Sequence, residues 1–325
     1  MAYPIELSWI IIVIVILAFL FEFMDSSLGM GYGTTLTPIL LLMGYEAVEI
    51  VPAVLISEFV TGIVSGIFHI WFKNMNIGHK RQLKKKMSMN TESVKSNSIS
   101  NLPYEVTGGI SIPQKQSLKE RLQDLTLDTQ VIYVLVIFGI LGTLISSIIS
   151  ATYGYNANFK FGVKIYIGIM VFCMGILILA LRRKQIKFSL KRIITIGAVA
   201  GFNKGISGGG YGPLAVSGQI LSGREGKNAI ASTSLSEGII CLVGAVAYIL
   251  TTVIISSNNG VPVNWGYLGL APFLIIGAVL SAPLAALTTK AVENKWLKIL
   301  VGIATLILGI FSLTRTILGF TGIWV

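Results

Sequence analysis

The sequence predicts an all-α integral membrane protein built from two repeats of inverted topology. Apolar residues make up 54% of the chain and charged residues only 12%, and the mean hydropathy is +0.79. Soluble domains carry about twice that share of charge. The apolar residues fall in runs near the roughly 20 residues that cross a bilayer. A Gly-rich segment also occurs twice along the chain.

The apolar runs predict the membrane spans. Two of the runs, 48–72 and 299–318, each contain a charged residue. Residues 7–24 are long enough to begin a span, and they lack the basic start and the small-residue cleavage site of a signal peptide. The four clearest runs are 131–151, 161–181, 228–255 and 266–289.

The repeat relates residues 23–58 to residues 202–237 at a constant offset of 179, without a gap. Each copy is a Gly-broken apolar stretch followed by a long apolar helix with a glutamate inside it. Paired broken segments in two halves of a membrane protein point to a transport site. The recurring residues are Phe23, Gly29, Gly31, Tyr32, Gly33, Leu42, Gly44, Glu46, Ser57 and Glu58, matched by Phe202, Gly208, Gly210, Tyr211, Gly212, Leu221, Gly223, Glu225, Ser236 and Glu237.

The distribution of basic residues predicts the topology. The net charge is +11, and 21 of the 25 Lys and Arg residues fall in segments that we assign to the cytoplasm. This asymmetry is the one that the positive-inside rule describes. Since residues 182–192 and Arg224 both lie inside, residues 193–221 must enter the membrane, break at the glycines and return. About 11 residues per arm would reach roughly 16 Å, half of a bilayer.

The same reasoning puts the start of the first copy outside, so the two repeats have opposite orientations. Each then holds one re-entrant Gly-broken hairpin and three transmembrane helices, about eight membrane segments in all. Both termini are predicted outside, in a multi-pass protein of the cell membrane. The predicted parts are 1–72 (hairpin and first long span), 73–130 (polar, basic cytoplasmic insertion), 131–181 (last two spans of the first repeat), 182–192 (basic cytoplasmic linker) and 193–325 (second repeat).

The breaks are the candidate substrate site. A helix broken inside a bilayer exposes N–H groups and a positive dipole end, which suit an anion. Pro213 fits the first turn of the new helix. The alternative is that the glycines serve tight helix packing, which we assign to Gly197, Gly201 and Gly205. The predicted substrate-binding residues are Gly29, Gly31, Gly33, Asn203, Lys204, Ser207, Gly208, Gly209, Gly210, Gly212 and Gln219.

Ionisable residues inside spans are costly and usually functional. Asp25 and Lys204 occupy equivalent positions, and two interpretations stay open: they form an ion pair, or they share a substrate site with Lys204 facing an anion. Glu58 and Glu237 each lie about 11 residues into a long span. They are interpreted either as proton acceptors for coupling or as caps on the N–H groups of the opposite hairpin. Glu22 is placed at an extracellular entrance.

The segments Gly29–Gly44 (GMGYGTTLTPILLLMG) and Gly205–Gly223 (GISGGGYGPLAVSGQILSG) resemble the TauE/SafE family of sulfite exporters, also called the toluene sulfonate uptake permease family. The plan of two homologous halves joined by a basic loop is similar too, over most of the chain. The resemblance implies secondary transport of small sulfur-containing or carboxylate anions across the plasma membrane.

The predicted function is therefore secondary transport of small anions by alternating access, with a passive channel or a cation transporter as alternatives. An enzyme is not predicted, because the sequence shows no metal-ligand spacing and no pairing of a nucleophile with a base. The predicted partners are a small anion, the lipid bilayer and a coupling ion, either a proton or sodium. A homo-oligomer is compatible with the sequence, and neither a cofactor nor nucleic acid is predicted.

Overall fold

The computed structural model describes residues 5–45, 47–80, 124–153, 156–181, 187–260, 263 and 265–321. Residues 81–123, most of the predicted insertion, lie outside this range. The described residues form ten α-helices, and their only β-pairing is one isolated bridge. The helices are α1 (Ile5–Leu28), α2 (Tyr32–Leu42), α3 (Ala47–Trp71), α4 (Leu127–Tyr153), α5 (Ala157–Leu181), α6 (Leu190–Ser207), α7 (Tyr211–Leu221), α8 (Gly226–Asn259), α9 (Tyr267–Ala291) and α10 (Asn294–Phe320).

Glycine ends the helix before each break. Gly29 follows α1 with φ 76°, and Gly208 follows α6 with φ 71°. Side chains disfavour this left-handed backbone, which is the usual way to close a helix with glycine. The N–H of Gly29 donates to the carbonyl of Asp25 at 2.5 Å, and that of Gly208 donates to the carbonyl of Lys204 at 2.8 Å. The two copies therefore end their first helix in the same way.

The helix boundaries of the two copies coincide at the offset of 179. Helices α1 and α6 end at Leu28 and Ser207, α2 and α7 have 11 residues each, and α3 and α8 begin at Ala47 and Gly226. Pro213 lies in the first turn of α7, as predicted. The two halves thus run through the same order of five helices, α1–α5 and α6–α10.

The arms of the two predicted hairpins are unequal, which corrects the estimate of about 11 residues for each. The second arms, α2 and α7, do have 11 residues. The first arms are longer, with 24 residues in α1 and 18 in α6. At 1.5 Å per residue these are roughly 36 and 27 Å long. The reason is that apolar and small residues continue well ahead of each break, so that no polar residue ends the helix earlier.

Among the described residues, six helices are long and apolar enough to cross a membrane: α1, α3, α4, α8, α9 and α10. Helix α5 has a shorter apolar stretch, Lys164–Ala180. Large apolar side chains cover the outside of the bundle, as in the stripe Ile137, Leu141, Ile145 and Ile148 on α4, where each residue is at least half exposed. Such a surface suits lipid rather than water. The protein is therefore a multi-pass helical membrane protein.

Equivalent helices of the two copies pack against each other in opposite directions. In α3 and α8, Glu58 approaches Cys241, and Gly62 faces Gly238. Helices α5 and α10 are likewise antiparallel, because Gly168 contacts Leu313 while Gly309 contacts Phe172. The closest approaches use glycine, since a side chain there would meet the backbone of the neighbouring helix.

Helices from different halves also pack side by side in matching ways. Helix α9 runs parallel to α1, and Thr289 Oγ1 donates to the carbonyl of Ser27 at 3.0 Å. Helix α4 runs parallel to α6, and Ser150 Oγ donates to the carbonyl of Ile206 at 3.0 Å. Residues 27 and 206 are themselves equivalent at the offset of 179.

The close contact of α4 with α6 rests on three small residues of α6. A Cβ on Gly197 would lie 3.3 Å from Leu135 Cα, and one on Gly201 would lie 2.6 Å from Gly139 Cα. Gly205 faces Ser146 and Thr143 in the same way. The packing role predicted for these glycines is therefore confirmed.

Contacts divide the chain into two compact units, Met1–Met75 with Val131–Val325, and Asn76–Gln130. In the described part of the second unit, the two ends of the predicted insertion are joined by hydrogen bonds. Asn76 N–H donates to Asp128 Oδ2 at 2.7 Å, Gly78 N–H donates to Thr129 Oγ1 at 3.0 Å, and Thr126 N–H donates to the Gly78 carbonyl at 2.9 Å. These bonds form a stem at the base of residues 81–123.

Replacing Gly62 with Ala is expected to destabilise the protein, because the new Cβ would lie 2.7 Å from Gly238 Cα and 2.8 Å from its nitrogen. Two backbones must separate to make room, and overpacking of this kind costs about 1–3 kcal/mol. Gly269→Ala is the matched control, since a Cβ at Gly269 in α9 meets nothing within 4 Å. Thermal unfolding in detergent measures both. An unchanged melting temperature for Gly62→Ala would contradict the observed crossing.

Candidate functional site

The two breaks lie against each other. A Cβ on Gly33 would lie 3.0 Å from Gly209 Cα, and a Cβ on Gly212 would lie 3.0 Å from Met30 Cα. Each of these glycines also faces a carbonyl oxygen of the opposite break, that of Gly208 or Gly29. Peptide groups of the two copies therefore face one another directly, and the segment leaves no room for side chains at these two positions.

Lys204 joins the two repeats through buried ion pairs. Its Nζ donates to Glu237 Oε1 at 2.8 Å and pairs with Glu58 Oε2. The side chain of Lys204 is 1% exposed, so the ammonium group is shielded from solvent. Since Glu58 and Glu237 are the equivalent glutamates of α3 and α8, one ammonium group on α6 is shared by both copies.

Asp25 has a different role from its equivalent Lys204. Its Oδ1 accepts a hydrogen bond from the Tyr32 N–H at 3.3 Å, at the first residue of α2. A carboxylate in this place caps the helix and offsets its positive end. Of the two interpretations of Asp25 and Lys204, the ion pair is therefore wrong, because Lys204 pairs with the two glutamates and Asp25 caps the first break.

The second break has no such cap. Among the described residues, no side chain accepts a hydrogen bond from the start of α7 at Gly210. Ser207 instead bonds locally, with its Oγ donating to the Asn203 carbonyl at 3.0 Å and accepting from the Gly209 N–H at 3.3 Å. The start of α7 thus has no side-chain cap, and the residue equivalent to the capping aspartate is a lysine.

Asn203 lies beside Lys204 in the last turns of α6 and is fully buried. Both polar atoms of its side chain, Oδ1 and Nδ2, have no hydrogen-bond partner among the described residues. A buried amide without partners costs about 1–3 kcal/mol for each unsatisfied group. The side chain therefore has a donor and an acceptor that no described residue uses.

A tyrosine–serine hydrogen bond occurs once in each copy. Tyr32 Oη lies 2.9 Å from Ser57 Oγ, and Tyr211 Oη lies 2.9 Å from Ser236 Oγ. Each bond holds the start of the short helix after the break to the long helix that carries the glutamate. The recurrence of Tyr and Ser at the offset of 179 is the sequence signal for these bonds. The recurrence does not by itself predict that the two side chains are in contact.

Glu22 is buried at the centre, not at an entrance as predicted. It is 2% exposed, and Ser26 Oγ donates to its Oε1 at 2.7 Å. It lies within electrostatic range of Lys204, Glu58 and Glu237. With Asp25, the described residues place four carboxyl groups around one ammonium group. The repeat does not predict a place for Glu22 in the centre, because the equivalent residue of the second copy is Gly201.

His69 connects α3 to the end of α1. Asn74 Nδ2 donates to His69 Nδ1 at 2.9 Å and to the Ala286 carbonyl at 2.8 Å. Since Nδ1 accepts, Nε2 carries the proton and donates to the Ser26 carbonyl at 3.0 Å. The network assigns this tautomer. His69 therefore helps to hold the end of α1 at the first break. Its place at the end of an apolar span in the sequence does not predict this role.

Gln219 lies at the far end of α7, two turns from the break. Its Nε2 donates to Thr233 Oγ1 at 2.7 Å and its Oε1 accepts from Arg224 at 2.8 Å. Arg224 is itself only 4% exposed. Because both ends of the Gln219 side chain are occupied in holding the turn between α7 and α8, we leave it out of the site proposed below.

The chemical groups of this centre are of few kinds. The described residues contain no group of three His, Cys, Asp or Glu side chains that could hold a metal ion. The arrangement instead offers backbone N–H groups, one buried amide, one ammonium group and several carboxyl groups.

Replacing Lys204 with Met is expected to cost about 3–5 kcal/mol of stability, because it leaves two buried carboxylates without their cation. The triple variant Lys204→Met, Glu58→Gln, Glu237→Gln should recover most of that loss, since no buried charge is then left unpaired. Thermal unfolding of the purified proteins measures both effects. A single variant as stable as the parent, or a triple variant no better than the single one, would contradict the buried triad.

Comparison with known proteins shows the family of the chain. The sulfite exporter TauE/SafE family matches residues 110–312. The chain is also 25% identical over 305 residues to the probable membrane transporter protein YtnM of Bacillus subtilis (strain 168), which covers 90% of this chain and 79% of that protein. No solved structure matches the chain. The family match covers more than half of the sequence, so the chain belongs to the TauE/SafE family of membrane transporters.

Proposed function

We propose that the protein is a secondary transporter of small anions that works by alternating access around the two breaks. The observation that carries the proposal is the second break, where an uncapped helix start, an unpartnered buried amide and a buried ammonium group occur within nine residues of the chain. Each of these groups favours a bound anion. The opposite break is already neutralised by Asp25, so the site is proposed at Gly208–Gly212 with Asn203 and Lys204.

The proposal includes two repeats inserted in opposite orientations. It is supported by the antiparallel packing of equivalent helices, α3 with α8 and α5 with α10. The antiparallel contact of the two breaks supports it in the same way. With the basic segments inside, both termini lie outside the cell membrane. In this arrangement each short helix, α2 or α7, starts at its break inside the membrane and returns to the surface from which the chain entered, which gives the eight predicted membrane segments.

Alternating access then means that the two halves rock around a site near the midplane. Glu58 and Glu237 are each 11 residues from the start of their helices, a rise of roughly 16 Å in a hydrocarbon core of roughly 30 Å. Lys204 shares this depth through its ion pairs. The site is therefore proposed halfway across the membrane, where it can be exposed to either side in turn.

Sulfite and organosulfonates are the proposed substrates, with small carboxylates as related candidates. The family is described by sulfite export, and its oxyanions carry several acceptor oxygens on a small centre. Backbone N–H groups at a helix start, the Asn203 amide and the Lys204 ammonium group are donors that such oxygens can share. In the first break, Gly29, Gly31 and Gly33 contribute to the shape of the proposed site because they carry no side chains.

A cation transporter is the second candidate, and one observation favours it. Glu22, Asp25, Glu58 and Glu237 are all at most 8% exposed, and carboxyl groups are the usual ligands of metal cations. We prefer the anion because Lys204 occupies the position between two of these carboxyl groups. Competition between sulfite and a panel of cations for stabilisation of the purified protein separates the two.

We expect sulfite or a sulfonate to raise the melting temperature of the detergent-purified protein. A ligand at about 100 times its dissociation constant adds about 2.7 kcal/mol. Asn203→Leu, which keeps the volume but removes both polar atoms, should lose most of this stabilisation. Asn258→Leu, at an exposed position near the end of α8, should retain it. Stabilisation by cations alone, or equal responses of the two variants, would reject the proposed anion site.

A further inference from the structure

The buried centre contains more acidic groups than its single cation can neutralise. Lys204 pairs with Glu58 and Glu237, while Glu22 and Asp25 lie within electrostatic range of all three. Buried charges without a partner are strongly unfavourable. An anion that enters beside Lys204 adds one more negative charge to this cluster. It therefore needs a positive charge to enter with it.

Glu58 is the group best placed to take up that charge as a proton. Its Oε2 pairs with Lys204 and accepts a hydrogen bond from Cys241 Sγ at 3.5 Å. Its Oε1 is buried and has no hydrogen-bond partner among the described residues. A proton on Oε1 would weaken the ion pair between Glu58 and Lys204, while Glu237 would stay paired with Lys204. One N–H donor of the ammonium group would then be free for an anion oxygen.

We propose that the protein is a proton-coupled symporter in which one proton on Glu58 accompanies each anion bound at Lys204. The exchange conserves buried charge. Before it, Lys204 faces two carboxylates; after it, Lys204 faces one carboxylate and the anion, with Glu58 neutral. This inference rests on the proposed anion transport and adds the identity of the coupling ion.

Among the residues that the structure describes around Glu58, no cationic side chain besides Lys204 could replace the proton. Helix α9, which also packs on α3, has titratable residues only at its two ends, Tyr267 and Lys290. On α3 itself, His69 is held nearly three turns away by Asn74 and Ser26. The titratable groups near Glu58 on the other elements are Lys204 on α6, Glu237 and Cys241 on α8, Glu22 and Asp25 on α1, Tyr32 on α2 and Tyr211 on α7.

The test uses the full-length protein in liposomes with two labelled probes, sulfite and methanesulfonate. The charge of a sulfonate does not change near neutral pH, so a pH effect on methanesulfonate belongs to the protein. Counterflow at equal pH on both sides first measures anion transport by itself. A pH difference of one unit is then imposed at clamped voltage and without sodium. For one-to-one coupling, the probe should accumulate about tenfold on the alkaline side.

Glu58→Gln should lose this accumulation, and its counterflow should no longer change with pH, because the amide imitates a permanently protonated acid. Glu293→Gln, at an exposed position before α10, should keep both properties. Glu237→Gln provides a second measurement if the Glu58 variant does not purify as a folded protein. It should keep a pH dependence that Glu58 still supplies.

The results separate this inference from the function on which it rests. Wild-type counterflow without pH-driven accumulation would overturn proton coupling and leave anion transport intact. Accumulation that needs a sodium gradient instead of a pH gradient, or that survives in Glu58→Gln, would overturn it as well. No counterflow of either probe would reject the proposed anion transport itself, and the coupling with it.

Discussion

The shared ion pair of Lys204 with Glu58 and Glu237 is the interaction on which the centre of the molecule depends. It joins α6, α3 and α8, and thereby both repeats, at a place with almost no access to solvent. In such surroundings a lone charge is costly, while a pair with good geometry is tolerated. The position of the two long helices is therefore tied to the charge state of three side chains. Any ion that enters must act on that balance.

Around this ion pair, the two copies have the same backbone arrangement but differ in their charged residues. Both breaks end a helix with a left-handed glycine and begin the next with a tyrosine that bonds a serine. The equivalent positions Asp25 and Lys204 nevertheless carry opposite signs. Asp25 accepts a hydrogen bond from the start of α2 at the first break, whereas the start of α7 at the second break has no side-chain cap. For this reason the proposed function has one anion site rather than two.

The sequence predicts much of this architecture because two signals are strong. Apolar runs of membrane length leave few alternatives to helices, and a gapless repeat transfers every boundary from one half to the other. The structure confirms the breaks at Gly29 and Gly208 and the short helices after them. The packing contacts of Gly197, Gly201 and Gly205 are confirmed as well.

What the sequence did not predict depends on side chains that meet across the fold. Nothing in the repeat says that Lys204 turns toward Glu58 and Glu237 rather than toward Asp25, since all four lie in comparable apolar surroundings. Glu22 has no counterpart in the second copy, so the repeat could not place it in the centre. The lengths of α1 and α6 were misjudged because apolar composition alone does not say where a helix starts inside a long apolar run.

The crossing of α3 and α8 at Gly62 and Gly238 has a mechanical consequence. Because the two helices touch there through backbone atoms, they can rotate relative to each other about that contact. Glu58 lies four residues from the crossing, a rise of about 6 Å, while Ala47 at the end of α3 lies about 22 Å away. A rotation that swings the helix end by several ångströms moves Glu58 only about a quarter as far. In the proposed alternating access, the ends of the helices would open and close a passage while the buried ions stay within reach of one another.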